Sequence, residues 1–443
     1  MIYTASWLLP MDGPPIQKGQ ILVRDGLIKA VGKDLHKLKP EEPLKDLGDA
    51  ILMPGFVNAH SHLDYAVLKG VLDGKPFLEC IQGFGEFVAY SHPEDRRWSS
   101  LLGAAEMIRT GITSVGDSTP RGDSAHVISD VGLRGVVYLE IVGADAEADY
   151  SGTIRKLGKD VGDLQARICD IVRIGVSPHT VYSASPGLLR LTAELAAERG
   201  LPMMIHAAET RDEVEFCERG TGPIANWKWS VHDARPRQSP VAYLADLGML
   251  SPGCIAAHCV HCSDRDIGIL TQTGAAVAHC PRSNCLLGAG IAPLPQMLDA
   301  GLRIGLGTDS AASNFNLSLL DEARFALALH RGNGENPSLM SPEAILRMAT
   351  RGGAEALGLE KVGCLVAGWA ADVIAIRVDD ESAPMCYNPY NKLVFGDRAE
   401  VVLSVVAGRE ILSDGKLQTV DESALRENVR RSAANLRSRK DSY

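Results

Sequence analysis

From about residue 55 to residue 357, short apolar segments alternate with longer amphipathic stretches that are rich in Ala, Leu, Glu and Arg. This alternation is typical of repeated βα units, whose strands are parallel and buried on both faces. Eight segments are predicted to be strands, at 56–60, 111–117, 133–141, 172–179, 202–209, 254–259, 275–280 and 303–309. Eight such strands with helices between them predict an α/β fold, a single (β/α)8 TIM barrel.

The two ends of the chain have a different pattern, in which short β-like segments are separated by Gly and Asp turns. "ILVRDG" and "LIKAVG" lie before residue 54, and "GWAADVIAIRVD" and "AEVVLSVVAGREIL" lie after residue 358. We therefore predict that 1–54 and 358–443 together form a small β-sandwich domain, with a helix at the end of the chain. Residues 55–357 are predicted to form the barrel. A chain of 443 residues is long enough for both domains.

Charge and cysteine content narrow the range of partners. The net charge of −10 argues against binding to nucleic acid or to an anionic membrane, and no apolar run approaches the ~20 residues that span a bilayer. The segment "MIYTASWLLP" lacks the basic region of a signal peptide, and ten cysteines in such a chain are expected to be reduced thiols. These features predict a cytoplasmic protein that binds neither nucleic acid nor an anionic membrane.

Polar residues recur where the predicted barrel strands end. The ends of strands one and four to eight carry His60 and His62, His179, His206, His258, His279 and Asp309. Each histidine alone is better explained as a satisfied core residue. Together they indicate a site, because the C-terminal ends of barrel strands converge and because residues i and i+2 of a strand face the same side. Neutral imidazoles with one carboxylate suit a divalent ion such as Zn²⁺.

Five motifs then occur in order: "PGFVNAHSHLD", "IHAAET", "AAHCVH", "AHCPRSN" and "GLGTDSAASN". With them, essentially the whole chain resembles the metal-dependent amidohydrolase superfamily, in the branch of adenosine-type, guanine and cytosine deaminases and triazine hydrolases. The resemblance implies one divalent metal, Zn²⁺ first and Fe²⁺ as the alternative, held by His60, His62, His206 and Asp309. Strand four ends in His179 and has no lysine, which favours one ion over two.

The resemblance also implies roles in catalysis. Glu209 would transfer protons, His258 would orient the attacking water and stabilise charge, and Asp309 would be both a ligand and the first proton acceptor. The implied reaction is hydrolytic deamination of a 6-aminopurine nucleoside derivative, such as methylthioadenosine, adenosylhomocysteine, adenosine or aminodeoxyfutalosine. The alternatives are deamination or dechlorination of guanine-like, pterin or s-triazine rings, a related amidohydrolase reaction, and a non-catalytic scaffold.

Substrate contacts are predicted from the long segments after strands one and five. The first segment, which begins "YAVLKGVLDG", is expected to form a lid, in which Cys80 stands where related deaminases have a tryptophan and Glu86 lies near their ribose-binding glutamate. His179 is the candidate contact for the purine ring. Arg235, in the insert after strand five, is a candidate for binding a substrate carboxylate. Members of the superfamily are commonly oligomers, so a homo-oligomer is expected.

Overall fold

The computed structural model describes residues 1–231, 237–379, 381 and 384–442. Seven short strands come first: β1 (Ile2–Thr4), β2 (Trp7–Leu8), β3 (Ile16–Gln17), β4 (Gln20–Arg24), β5 (Leu27–Gly32), β6 (Leu44–Asp46) and β7 (Ala50–Pro54). Strands β5, β4, β1 and β6 form one sheet in that order, while β7, β2 and β3 belong to a second sheet. The chain end thus contributes to two sheets at once.

The central part of the chain forms one parallel sheet of eight strands. They are β8 (Phe56–Ser61), β9 (Ile112–Thr119), β10 (Arg134–Ile141), β11 (Val172–Pro178), β12 (Met203–Ala207), β13 (Cys254–His258), β14 (Ala276–His279) and β15 (Ile304–Leu306). Each strand pairs with its neighbours in chain order. The backbone N–H of Asp309 donates to the carbonyl oxygen of His60 at 3.0 Å, which nearly closes the barrel between its last and first strands. The predicted (β/α)8 barrel is confirmed, with all eight strands in the predicted places.

The C-terminal strands complete the second sheet. They are β16 (Val373–Arg377), β17 (Glu400–Val406), β18 (Arg409–Ser413) and β19 (Lys416–Leu417), and they extend β7, β2 and β3 into seven strands. An apolar cluster that includes Tyr3, Ile21, Leu52 and Leu403 packs the two sheets together. The predicted β-sandwich from both chain ends is confirmed. Since only Gly55 separates β7 from β8, we retain residues 1–54, 55–357 and 358–443 as a proposed division into domains.

Helices follow most of the barrel strands, and the described helices are α1 (Leu35–Leu38), α2 (Phe77–Tyr90), α3 (Pro93–Arg109), α4 (Asp123–Val131), α5 (Ser151–Gln165), α6 (Pro186–Arg199), α7 (Arg211–Arg219), α8 (Gly222–Ala225), α9 (Pro240–Asp246), α10 (Asp264–Thr273), α11 (Pro281–Leu286), α12 (Leu294–Asp299), α13 (Leu319–Asn333), α14 (Pro342–Arg347), α15 (Gly353–Ala356), α16 (Pro389–Phe395) and α17 (Glu422–Ser442). Ser185, Thr210 and Ser263 accept backbone N–H groups at helix starts and so satisfy otherwise unpaired donors. Over the described ranges, no helix combines the length and the apolar character that crossing a membrane requires.

The terminal helix α17 is docked on the barrel. Asp95 of α3 accepts hydrogen bonds from Ser432 at 2.6 Å and from Arg439 at 2.5 Å. Leu436 packs in an apolar cluster with Tyr65 and with Phe87 of α2. Because α2 belongs to the predicted lid segment, α17 helps to hold this segment in place.

A buried ion pair joins the barrel to the sandwich. Arg134, at the start of β10, donates from Nε and Nη2 to the Asp372 carboxylate at 2.5 Å and 3.1 Å. Asp372 precedes β16 and also accepts the backbone N–H of Ala407 at 2.8 Å. Removing one partner of such a pair leaves a buried charge without compensation, so we expect Asp372→Asn to lower the free energy of unfolding by about 3–5 kcal/mol in a denaturant titration.

The matched control for this prediction is Asp160→Asn, which breaks an exposed ion pair between Asp160 and Lys156 within α5. Exposed ion pairs of this kind contribute little to stability, so we expect the free energy of unfolding to change by about 0.5 kcal/mol or less. Equal, small losses in the two variants would contradict the stabilising role of the Arg134–Asp372 pair.

Candidate active site

Backbone strain marks the C-terminal ends of the barrel strands. His258 has a φ of 72°, Asp309 a φ of 55° and Ala208 a φ of 50°, all in the left-handed region that non-glycine residues rarely adopt. Each such residue costs on the order of 1–3 kcal/mol and is held by the packing around it. Beyond Leu306 the chain therefore leaves the extended conformation, which is why β15 is shorter than the predicted segment 303–309.

The four predicted metal ligands lie together in this region, and all are buried. The Nε2 atoms of His62 and His206 are 3.2 Å apart. Asp309 Oδ1 lies 3.5 Å from His60 Nε2 and 3.6 Å from His62 Nε2. His60 in β8, His62 directly after β8, His206 in β12 and Asp309 in the loop after β15 thus present one ligand atom each to a common point.

Neighbouring groups orient these side chains. The Nδ1–H group of His62 donates to the Ser118 carbonyl at 3.1 Å, and that of His206 donates to the His179 carbonyl at 2.9 Å. A histidine fixed through Nδ1 in this way keeps a free lone pair on Nε2 for a metal. Asp309 Oδ2 is occupied by the hydroxyls of Ser283, at 2.5 Å, and Ser313, at 3.0 Å, which leaves Oδ1 facing the cluster.

The donor set fits a divalent metal. His60 Nε2 is buried and has no hydrogen-bond partner among the described residues, which is costly unless a ligand binds there. Burial lowers the pKa of His62 to about 3 and also lowers the pKa of His60 and His206, so the imidazoles are in the neutral form that coordinates metals. Three neutral imidazoles and one carboxylate are a suitable donor set for zinc.

Beside this cluster lies the predicted proton-transfer pair. Glu209 Oε1 is 3.7 Å from His258 Nε2, and His258 Nδ1 donates to Asn284 Oδ1 at 2.8 Å. Burial raises the pKa of Glu209 to about 7. Burial acts to lower the pKa of His258, but the carboxylates of Glu209 and Asp309 outweigh it and the pKa is raised. A carboxyl group with a near-neutral pKa is suited to both accepting and donating a proton.

A cavity of about 580 Å³ opens onto both groups. Helix α2 forms part of its wall, in agreement with the predicted lid. The substrate-binding candidates His179, Cys80 and Glu86 all line the cavity. The Cys80 thiol, however, donates to the carbonyl groups of Leu72 and Lys75 at 3.6 Å, and Glu86 Oε1 accepts from Gln82 at 2.8 Å. Arg235 lies outside the described residues.

A sequence comparison assigns the family. The profile of the Amidohydrolase family matches residues 51–417, which is most of the chain. The protein belongs to the amidohydrolase family. The resemblance predicted from the five motifs is therefore confirmed.

Curated relatives of this amidohydrolase are deaminases. A 5-methylthioadenosine/S-adenosylhomocysteine deaminase of Nitratidesulfovibrio vulgaris is 35% identical over 427 residues, which cover 94% of this chain and 92% of the relative. A 5′-deoxyadenosine deaminase of Methanopyrus kandleri is 32% identical over 429 residues, with 95% of each chain covered. Among solved structures, an adenosine deaminase from Xanthomonas campestris with bound zinc superposes with a TM-score of 0.87 at 26% identity, covering 99% of this chain and 98% of that one.

Several residues at the amidohydrolase site were not anticipated from the sequence. Glu213, on α7, accepts the backbone N–H groups of Ala208 and Glu209 at 2.9 Å and 2.8 Å, and it thereby holds the turn that presents Glu209. Glu140 lines the cavity at the end of β10, and burial raises its pKa to about 8. Trp227, Lys228 and Trp229 line it from the insert after β12. Glu140 had a recognisable signal, since it is the last residue but one of the predicted strand 133–141. The insert was expected to contact the substrate, but nothing in the sequence singled out these three residues.

Three other groups of described residues were considered as further metal sites. His279 ends β14, but its Nε2 lies 3.0 Å from His330 Nε2, and His279 does not line the cavity. The ten cysteines are all unpaired, as expected. Glu140, His179 and His206 have ligand atoms within 4.8 Å of one another, but His206 already belongs to the first cluster. The geometry therefore favours one metal site.

Proposed function

We propose that this amidohydrolase is a metal-dependent hydrolytic deaminase, which releases ammonia from a 6-aminopurine nucleoside of the adenosine type. The observation that carries the proposal is that three of the four proposed ligands, His62, His206 and Asp309, line the same cavity as the Glu209–His258 pair. The curated names of two relatives, 5-methylthioadenosine/S-adenosylhomocysteine deaminase and 5′-deoxyadenosine deaminase, support this substrate class.

His60, His62, His206 and Asp309 would hold one divalent ion, with Zn²⁺ favoured over Fe²⁺ by the donor set. When bound, such an ion supplies Lewis-acid activation of water near neutral pH. The zinc in the related adenosine deaminase structure supports the choice of metal.

The chain's own residues would move the protons. Deamination adds water to the carbon that carries the amino group, protonates the adjacent ring nitrogen and releases ammonia. Asp309 would be the first acceptor of protons from the attacking water, and Glu209 would carry one proton onward to the ring nitrogen. A second proton, from the added hydroxyl group, would pass through Glu209 to the amine, which leaves as ammonia while the carbonyl group forms. His258, held by Asn284 through Nδ1, would direct Nε2 toward the oxygen that develops negative charge.

The rest of the cavity would bind the nucleoside. Phe84 of α2 and Trp227 offer apolar surface to a planar ring, and His179 remains the proposed contact for the purine. Glu86 is retained as a polar contact from the lid. We further propose a homo-oligomer, since superfamily members commonly are, and a cytoplasmic location, which the ten unpaired cysteines support.

Ammonia release from a substrate panel tests the proposed reaction. The zinc-loaded protein is incubated with adenosine, 5′-deoxyadenosine, methylthioadenosine, adenosylhomocysteine, guanine, melamine and a chloro-s-triazine, and ammonia and chloride are measured. We expect ammonia from the adenosine-type nucleosides, at values of kcat/KM of about 10⁴ M⁻¹s⁻¹ or more for the best of them. The proposal fails if none of these nucleosides releases ammonia. Chloride release alone would indicate a dechlorinating hydrolase.

A further inference from the structure

His60 is held on its outer side by a sulfur atom rather than by an oxygen atom. Its Nδ1 atom lies 3.0 Å from Met204 Sδ, and both side chains are buried. For the other two imidazoles of the predicted metal ligands, His62 and His206, Nδ1 faces a backbone carbonyl group. Of these three histidines, His60 is therefore the one whose orientation depends on a side chain that a mutation can change.

The chemistry of the thioether determines where the proton of His60 lies. A methionine sulfur has no hydrogen to donate and acts only as a weak acceptor. A neutral imidazole carries one N–H group and one lone pair, so an attractive contact with sulfur requires the proton on Nδ1. Nε2 then keeps its lone pair, and this atom has no hydrogen-bond partner among the described residues. The contact with Met204 thus selects the tautomer that can bind a metal through Nε2.

Met204 reaches His60 because of its place in the barrel. It lies two residues before His206 on β12, so both side chains point to the inside of the barrel. There Met204 packs in an apolar cluster that includes Tyr138. The hydroxyl of Ser118, on β9, also donates to Met204 Sδ, at 3.3 Å. Apolar packing and a second donor therefore hold the sulfur directly behind the predicted metal ligands.

Without an acceptor beside Nδ1, the proton of His60 would have a better position on Nε2. Nε2 lies 3.5 Å from Asp309 Oδ1, so an Nε2–H group would face a carboxylate while Nδ1 faced an apolar side chain. An imidazole protonated on Nε2 has no lone pair on that atom for a metal. A metal would then have to displace this proton from its partner, and its affinity would fall.

We propose that Met204 is a positioning residue of the predicted metal site, whose sulfur accepts the Nδ1–H group of His60 and keeps Nε2 open to a divalent ion. This inference rests on the proposed metal-dependent function. Met204 does not line the cavity, so it would act through His60 rather than on the substrate. Losing the partner that orients a metal-ligating histidine typically weakens metal binding by about 10–100-fold.

The test measures the dissociation constant for Zn²⁺ by competition with a chromogenic chelator. Met204→Leu removes the sulfur and nearly conserves the volume of the side chain. We expect it to raise the dissociation constant by about 10–100-fold. Met203→Leu is the matched control, because Met203 is also buried, precedes Met204 on β12 and packs in a different apolar cluster. It should keep the wild-type dissociation constant.

Nitrogen NMR of the zinc-free, full-length protein with isotope-labelled histidine determines the tautomer directly. The signals of His60 are identified by their absence from His60→Asn. We expect the proton on Nδ1 in the wild type and in Met203→Leu, and on Nε2 in Met204→Leu. The wild-type measurement decides the role of Met204 even if Met204→Leu fails to fold.

The outcomes separate this role from the proposed function. An unchanged dissociation constant in Met204→Leu, an equal rise in Met203→Leu, or a proton on Nε2 in the wild type overturns the role of Met204 and leaves the proposed deamination standing. Zn²⁺ binding that depends on Met204, without ammonia release from any adenosine-type nucleoside, refutes the deamination alone. If the wild type neither binds Zn²⁺ nor releases ammonia, both proposals fail.

Discussion

Glu209→Gln is expected to lower kcat for ammonia release by about 10²–10⁴-fold, the usual contribution of a general acid–base group, while leaving the metal content unchanged. The amide keeps the size of the side chain, but it cannot accept the proton of the attacking water or pass it to the ring nitrogen. Glu209 lies against His258 and is not one of the four predicted ligands, so metal binding should not depend on it. Steady-state kinetics together with elemental analysis of the purified variant measure both quantities.

The control for Glu209→Gln is Glu218→Gln, at an exposed position on α7. It makes the same chemical change a few residues away and should leave kcat at the wild-type value. A Glu209→Gln enzyme with wild-type kcat would show that another group transfers the proton. A variant that lost its zinc would show that Glu209 belongs to the metal site.

Asp309→Ala is expected to remove both the bound metal and the activity. The Asp309 carboxylate is the single anionic member of the cluster, and its loss leaves three neutral imidazoles to hold a divalent cation. Because the metal contributes several kcal/mol to stabilising the transition state, we expect ammonia release to fall by about 10³-fold or more. Elemental analysis should find less than one ion per chain, and added Zn²⁺ should not restore the wild-type rate.

Asp299→Ala, at an exposed position on α12, is the matched control and should keep both metal and activity. In the wild type, dialysis against a chelator should abolish ammonia release, and Zn²⁺ should restore it where Mg²⁺ does not, because imidazole ligands disfavour Mg²⁺. Full activity in wild-type protein that contains no transition metal would contradict the proposed mechanism.

The barrel was predictable because its strands are buried on both faces. Such strands appear as short apolar runs, and the amphipathic stretches between them cover the outside of the sheet. The sandwich was harder to predict, because its strands come from opposite ends of the chain and several have only two or three residues. Both chain ends share a pattern of short β-like segments separated by Gly and Asp turns, and this pattern was enough to assign them to one domain. The exact end of β15 was not predicted, since the positive φ of Asp309 has no signature in the sequence.

The sequence determined the substrate contacts of the lid less well than the positions of residues at the ends of the barrel strands. A strand of the barrel has a fixed direction, so a residue at its end must face the mouth. A lid segment has no such constraint, and the orientation of each side chain depends on local packing. Cys80 lines the cavity, yet its thiol is directed to backbone carbonyl groups of its own segment, which a comparison of aligned positions could not reveal.

The sequence by itself determined the fold class and the family, and it predicted the set His60, His62, His206, Glu209, His258 and Asp309. It could do so because parallel barrel strands deliver their last residues to one mouth, so that order along the chain already implies proximity. Only the tertiary structure decided which nitrogen of His62 and of His206 faces the predicted ligand cluster, that Glu213 holds the turn before α7, and that Glu140 Oε1 has no hydrogen-bond partner among the described residues. These features depend on atoms from distant segments meeting within hydrogen-bond distance, which no local pattern of residue types encodes.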